Sequence, residues 1–156
     1  MDRRTMLRFA ALGAAAVALP GRAAGLPAVR VFKSPTCGCC TGWVEHLREQ
    51  GFTVAVEDVG NVAARARLGI SEKLGSCHTA ELAGYAIEGH VPATDIKRLL
   101  ASRPRARGPA VPGMPIGSPG MESGDRRDAY EVLLVRFDGS TSVFASYPAA
   151  PARKST

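Results

Sequence analysis

The sequence predicts an α/β domain whose first strands are separated by helices. Three observations carry this. Apolar runs of strand length alternate with segments of helical apolar spacing, a short turn-centred hairpin interrupts the alternation once, and a second hairpin closes the chain. Strands separated by helices pair in parallel and carry the helices on the sheet faces. The expected order is strand, helix, strand, helix, hairpin, helix, followed by an added C-terminal β-hairpin.

Each element has its own signal. "AVRVFKSP" from Ala28 is a β run stopped by Pro35. From Cys40 to Gln50 the stripe of Trp43, Val44 and Leu47 is helical, and Gly51 stands where a helix stops. "FTVAVEDV", residues 52–59, alternates as a strand does. Asn61 is placed to cap a short helix that ends at Gly69. "TAELAGYAIEGH" reads as two short strands around Ala83-Gly84, and "PATDIKRLLASRP" as a helix with Ile96, Leu99 and Leu100 inward, closed by Pro104. Residues 108–129 are dense in Gly and Pro and are expected to be an irregular loop, of a length that is usually functional. "YEVLLVRF" and "TSVFASYP" flank Asp138-Gly139 as a clean hairpin over 130–147. One domain is expected over 25–148, with a flexible tail over 149–156.

Residues 1–24 follow the grammar of an export signal. A basic start (Arg3, Arg4, Arg8) precedes an apolar run from Phe9 to Leu19 and the small residues Ala23 and Ala24. The run is shorter than the roughly 20 residues of a bilayer span, so no stable membrane span is expected after its removal. Arg3-Arg4 resembles a twin-arginine signal, with Asp2 and Met6 departing from the usual pattern. The expected location is periplasmic or otherwise exported. The formal net charge is +6, and the signal carries four arginines against one aspartate, which leaves about +3 on the remainder. That is too mild a charge to argue for nucleic acid.

Three of the four cysteines, Cys37, Cys39 and Cys40, fall in "PTCGCCTGW"; the fourth, Cys77, is followed by His78. An exported chain can keep disulfides, but three cysteines clustered in one loop make a poor brace. Cys37 and Cys40 form a C-x-x-C pair after a strand and at a helix start, where free amides and the helix dipole favour a thiolate. A thiolate serves equally as redox nucleophile and as metal ligand. Strand, C-x-x-C, helix, then strand, helix, hairpin and helix resembles the thioredoxin or glutaredoxin fold over residues 28–102. That resemblance implies a cis-proline facing the cysteine pair, where this chain reads Ser76-Cys77-His78-Thr79. Cys77 and His78 are therefore expected to face the first cluster. After the signal the only methionines are Met114 and Met121, both in the Gly/Pro loop, where they serve as thioether ligands or as an apolar lid. His90 sets the turn into the next helix or adds a ligand. His46 is expected in solvent, Trp43 in the core, and Gly113, Gly117 and Gly120 in backbone roles. Soft sulfur with imidazole suits Cu(I) and also Zn(II).

Taken together, "CGCC…W", "CHT", "YAIEGHVPA", "AVPGMPIGSPGME" and "FASY" resemble the exported CopG-type copper-resistance family across nearly the whole chain after the signal. The resemblance implies a thioredoxin-like fold and copper held at Cys37, Cys39, Cys40, Cys77 and His78. The expected function is sequestration or handling of Cu(I), with copper ions and other periplasmic copper-handling proteins as partners. Two alternatives stay open. One is a thiol–disulfide or thiol–copper oxidoreductase, with Cys37 and Cys40 catalytic. The other is a structural zinc protein.

Overall fold

The computed structural model describes residues 25–150. The export-signal reading of 1–24 and the last six residues of the expected tail lie outside them. The strands are β1 (Val29–Lys33), β2 (Val54–Glu57), β3 (His78–Leu82), β4 (Tyr85–Glu88), β5 (Gly108–Ala110), β6 (Tyr130–Val135) and β7 (Thr141–Tyr147). The helices are α1 (Gly38–Glu49), α2 (Val62–Arg67) and α3 (Ala93–Ser102), with a 3₁₀ turn at Glu72–Leu74. The strands make one mixed sheet in the order β2-β1-β3-β4-β5-β6-β7. β1 runs parallel to β2 and β4 to β5, and the remaining pairs are antiparallel.

The alternation of side chains sorts the core onto two faces. On one face Trp43, Val44 and Leu47 of α1 and Ile96 and Leu99 of α3 pack with Val29, Val31, Ala80, Leu82 and Ile87. On the other, Leu68, Ile70 and Leu74 cover Ala86, Ala110 and Val135. α1 ends as its glycine predicts: Gly51 has φ +92 and its N–H donates to the Arg48 carbonyl. The β3–β4 turn is at Ala83-Gly84, both with positive φ.

Four expectations need correction. The stretch 108–129 is not wholly irregular, because residues 108–110 form β5 between β4 and β6. Gly108 permits this: at φ +148, a Cβ there would stand 1.8 Å from the Ala86 carbonyl oxygen. The C-terminal hairpin therefore continues the main sheet. Asn61 stands at the start of α2 but makes no cap; its amide donates to the Ser76 carbonyl and Thr79 Oγ1. The chain beyond Pro148, expected to fray, is still paired at Ala150, whose backbone exchanges two hydrogen bonds with Arg127.

The fourth concerns His46, which is half-buried and not in solvent. Its Nε2 accepts the Ala93 N–H at 3.1 Å, capping α3, whose own N-cap Pro92 makes no side-chain cap. Burial lowers the His46 imidazole below its usual value of 6.5, opposed by Glu122 and Glu49. The folded chain thus prefers neutral His46. Its contribution is present above about pH 6.5 and is lost as pH falls through the depressed folded value. At about pH 8, His46→Ala should cost about 1 kcal/mol in urea unfolding. The variant should also lose less stability than the parent on acidification from about pH 7 to about pH 5. Equal pH slopes would contradict the cap.

Candidate metal centre

The centre forms where β1 ends and α1 begins. After β1 the chain turns through Ser34–Thr36, and Cys37 becomes the N-cap of α1, with φ −83 and ψ 99. One helical turn then presents Cys39 and Cys40. β3 lies antiparallel beside β1, and Lys33↔His78 is its terminal pair. This register brings Cys77 to the start of α1 and turns His78 into the interior.

Cys37 and Cys40 are joined by a disulfide, and Cys39 and Cys77 are free. Cys39 Sγ lies 3.4 Å from Cys37 Sγ and 3.6 Å from Cys77 Sγ. Cys77 Sγ in turn lies 3.5 Å from His78 Nδ1 and 3.1 Å from His90 Nε2. Two donor groups result, Cys37/Cys39/Cys40/Cys77 and Cys77/His78/His90, each with its ligand atoms within 4.8 Å of one another. Cys77 belongs to both. All five residues expected at the site are thus brought together. His90, read from sequence chiefly as a turn former, joins them.

The histidines are oriented by what surrounds them. His90 is fully buried, and its Nδ1 pairs with the Pro119 carbonyl at 2.8 Å. A carbonyl only accepts, so Nδ1 carries the proton and the Nε2 lone pair faces Cys77. Ligating histidines are commonly oriented in this way. His78 is also fully buried, 4.4 Å from the Trp43 ring and edge-on to His90 at 4.9 Å. Its Nε2 is buried without a hydrogen-bond partner, and an orphaned polar atom costs about 1–3 kcal/mol. Burial, then the neighbouring His90, lowers His78 to about 3. Burial also lowers His90. Neutral imidazoles result, and that is their ligating form.

Cys77, which stands just ahead of β3, is a half-buried thiol. Burial first, and then the Cys39 hydrogen bond, push Cys77 up to about 12. Without a cation nearby Cys77 stays a thiol, and ligation must displace its proton. Once Cys37 and Cys40 are reduced, four sulfurs and two neutral imidazoles form a soft donor set that fits a thiophilic cation.

The 112–121 loop closes over this region. Ser76 Oγ donates to the Gly113 carbonyl at 2.5 Å, and the Gly113 N–H to the Gly75 carbonyl at 3.0 Å. Gly120 lies against the first turn of α1. With φ +84, a Cβ there would stand 2.5 Å from the Cys39 carbonyl oxygen and 2.6 Å from the Trp43 nitrogen. Met114 is 53% exposed and lines an open groove with Pro112, Pro115 and Tyr130. No cysteine or histidine lines that groove. Met121 is half-buried, and its backbone closes the loop onto Gly117 and Ser118.

Sequence reasoning missed a buried group behind Cys77. Glu88 is fully buried and contacts Arg65, Thr79 and the Ser76 N–H. Burial raises its carboxyl, while Thr79, Ser76 and Arg65 pull it down. Its place in the apolar strand "YAIE" gave no sign of this role.

Comparison with known proteins follows the same outline. Two solved structures titled "Copper resistance protein copG", Form 1 and Form 2, are 47% and 48% identical to this chain. Each covers 79% of it, and the matches span 98% and 99% of their own chains, both with a TM-score of 0.74. The chain belongs to the CopG copper resistance family. A family model described as "Protein of unknown function, DUF411" matches residues 74–121. No curated protein sequence matches. The matched span contains Cys77, His78, Glu88, His90 and the loop, but none of the α1 cysteines. In this CopG relative the half of the centre carried by β3, β4 and the loop thus coincides with the family model.

The Gly120 contact can be tested directly. Gly120→Ala should destabilise the chain by about 1–3 kcal/mol. In the reduced protein it should also speed alkylation of the α1 cysteines. Unchanged labelling rates at full folding would show that the loop does not cover them.

Proposed function

We propose that this protein is an exported copper handler that holds Cu(I) through the cysteine cluster and its two histidines. The observation that carries this reading is the sharing of Cys77 between a four-sulfur group and a sulfur–imidazole group. Cys37, Cys39, Cys40 and Cys77 supply thiolates when reduced, and His78 and His90 supply neutral nitrogens. Two overlapping groups suit more than one ion, with Cys77 bridging. Softness of the donors favours Cu(I), and the copper-resistance titles of the related structures point the same way. Zn(II) is the competing cation. Met121, half-buried, acts in the loop as cover, while Met114 lines the open groove beside Tyr130.

The strand order 2-1-3-4, with β1 parallel to β2 and β3 antiparallel to both its neighbours, supports a thioredoxin-like reading of residues 28–102. Export rests on the basic, apolar and small-residue pattern of residues 1–24. Among the described residues no helix is long and apolar enough to cross a membrane. Partners would be copper ions and other periplasmic copper-handling proteins.

Anaerobic Cu(I) titration of the reduced protein against a colorimetric chelator tests the assignment. Cys37→Ser and Cys77→Ser should each weaken binding by more than about 100-fold, beyond the roughly 10- to 100-fold loss typical of outer-sphere changes. The loss should be larger for Cys77. Unaltered binding in both would remove the site.

The Cys37–Cys40 disulfide favours a second reading, thiol-based redox work. A disulfide sulfur is not a thiolate, so two electrons and two protons must arrive before these two cysteines can act as thiols. Protein kept from reductant should therefore bind fewer Cu(I) ions than reduced protein, with thiol counts of two and four. Equal copper numbers in both states would contradict the role of Cys37 and Cys40 as ligands.

A further inference from the structure

We propose that Glu88 is a positioning residue for the Cys77 donor, acting through the Ser76 peptide with Arg65 and Asn61. This rests on the reading of Cys77 as a metal donor. Ser76 lies between the 3₁₀ turn at Glu72–Leu74 and β3, where no neighbouring strand supplies backbone partners. Three side chains supply them, Glu88 from β4 and Arg65 and Asn61 from α2 and its N-terminal boundary. The Ser76 N–H donates to Glu88 Oε1 at 2.7 Å. The Ser76 carbonyl accepts from Arg65 Nη2 at 2.7 Å and from Asn61 Nδ2 at 3.1 Å. Both polar groups of the residue preceding Cys77 are thereby gripped.

The grip is itself braced. Arg65 Nε donates to Glu88 Oε1 at 2.9 Å, and Thr79 Oγ1 to Glu88 Oε2 at 2.6 Å. Asn61 also donates to Thr79 Oγ1 at 3.2 Å. Glu88 is fully buried, and the Arg65 side chain is 14% exposed. A buried ion pair is a costly way to add stability, and its better-attested use is to specify one arrangement. Here that arrangement fixes the sulfur of Cys77 between Cys39 and His90. Ser76 Oγ extends it to the loop through Gly113. Glu88, Arg65 and Asn61 contact no proposed ligand atom; only the Ser76 hydroxyl does, 3.9 Å from Cys77 Sγ, so their effect on metal passes through Ser76.

A double-mutant cycle separates positioning from general destabilisation. Anaerobic Cu(I) affinity is measured by chelator competition on four reduced full-length chains: the parent, Glu88→Gln, Cys77→Ser and the double variant. Far-UV circular dichroism verifies folding of each. Glu88→Gln should weaken Cu(I) binding by about 10- to 100-fold in the parent, the range for groups that orient ligands. In the Cys77→Ser chain it should change affinity by less than about twofold, since a group acting through Cys77 has nothing left to position. Equal losses in both backgrounds, or no loss in the parent, would overturn the positioning role. Unchanged binding in Cys77→Ser alone would overturn the donor reading beneath it.

Asn61→Ala runs the same cycle without stranding a buried charge, and so applies even if Glu88→Gln fails to fold. Its expected loss is about 3- to 10-fold with Cys77 present and less than about twofold without it. Glu81→Gln removes an exposed pair with Arg67 on the same strand as Thr79 and should leave the affinity unchanged.

Discussion

The pairing of Lys33 with His78 at the end of the β1–β3 ladder is the constraint on which the centre depends. β1 leads directly into α1, so its last residue sets where Cys37, Cys39 and Cys40 emerge. The antiparallel register then decides which residue of β3 meets them. A one-residue slip would exchange the faces of every β3 side chain, taking His78 from Trp43 and Cys77 from Cys39. The hydrophobic alternation of β1 and β3 enforces this register, with Val29, Val31, Ala80 and Leu82 all facing α1 and α3. Core packing and donor placement are therefore one problem with one solution.

The centre departs from ordinary interior rules in a consistent direction. His78 has an unpartnered nitrogen in a dry interior. Cys77 is held as a thiol by burial. Such departures concentrate at functional sites, where local consistency yields to chemistry. A bound cation would displace the thiol proton and take the lone pair that His78 Nδ1 turns toward Cys77. The polar groups around the centre, by contrast, are well satisfied. The Pro119 carbonyl orients His90, and Glu88, Arg65 and Asn61 hold Ser76. The donors stay available while their supports are rigid.

Much of this was legible in the chain. Pro35 ahead of the cysteines and the Trp43, Val44, Leu47 stripe after them marked a strand end and a helix start. The Ala83-Gly84 turn and the Cys77-His78 pair before it placed a second set of donors opposite. The rest depended on contacts between residues distant in sequence. His90 meets Cys77 13 positions away and Pro119 29 positions away, and neither contact leaves a local pattern. His46 meets α3 only because the two helices dock side by side on one sheet face. Glu88 lies in an apolar strand, where a lone carboxylate reads as solvent-facing until Arg65 is found beside it. β5 was hidden because Gly108 and Pro109 signal irregularity, although Gly108 is what allows the backbone to approach Ala86.

The central claim is that Cys77 joins a thiolate group and an imidazole group into one soft-cation centre. Copper-edge X-ray absorption on the reduced, Cu(I)-loaded protein tests it most directly. The account predicts an inner shell dominated by sulfur with an imidazole contribution, and loss of part of both when Cys77 is replaced by serine. A shell of oxygen and nitrogen alone, or one unchanged without Cys77, would contradict it.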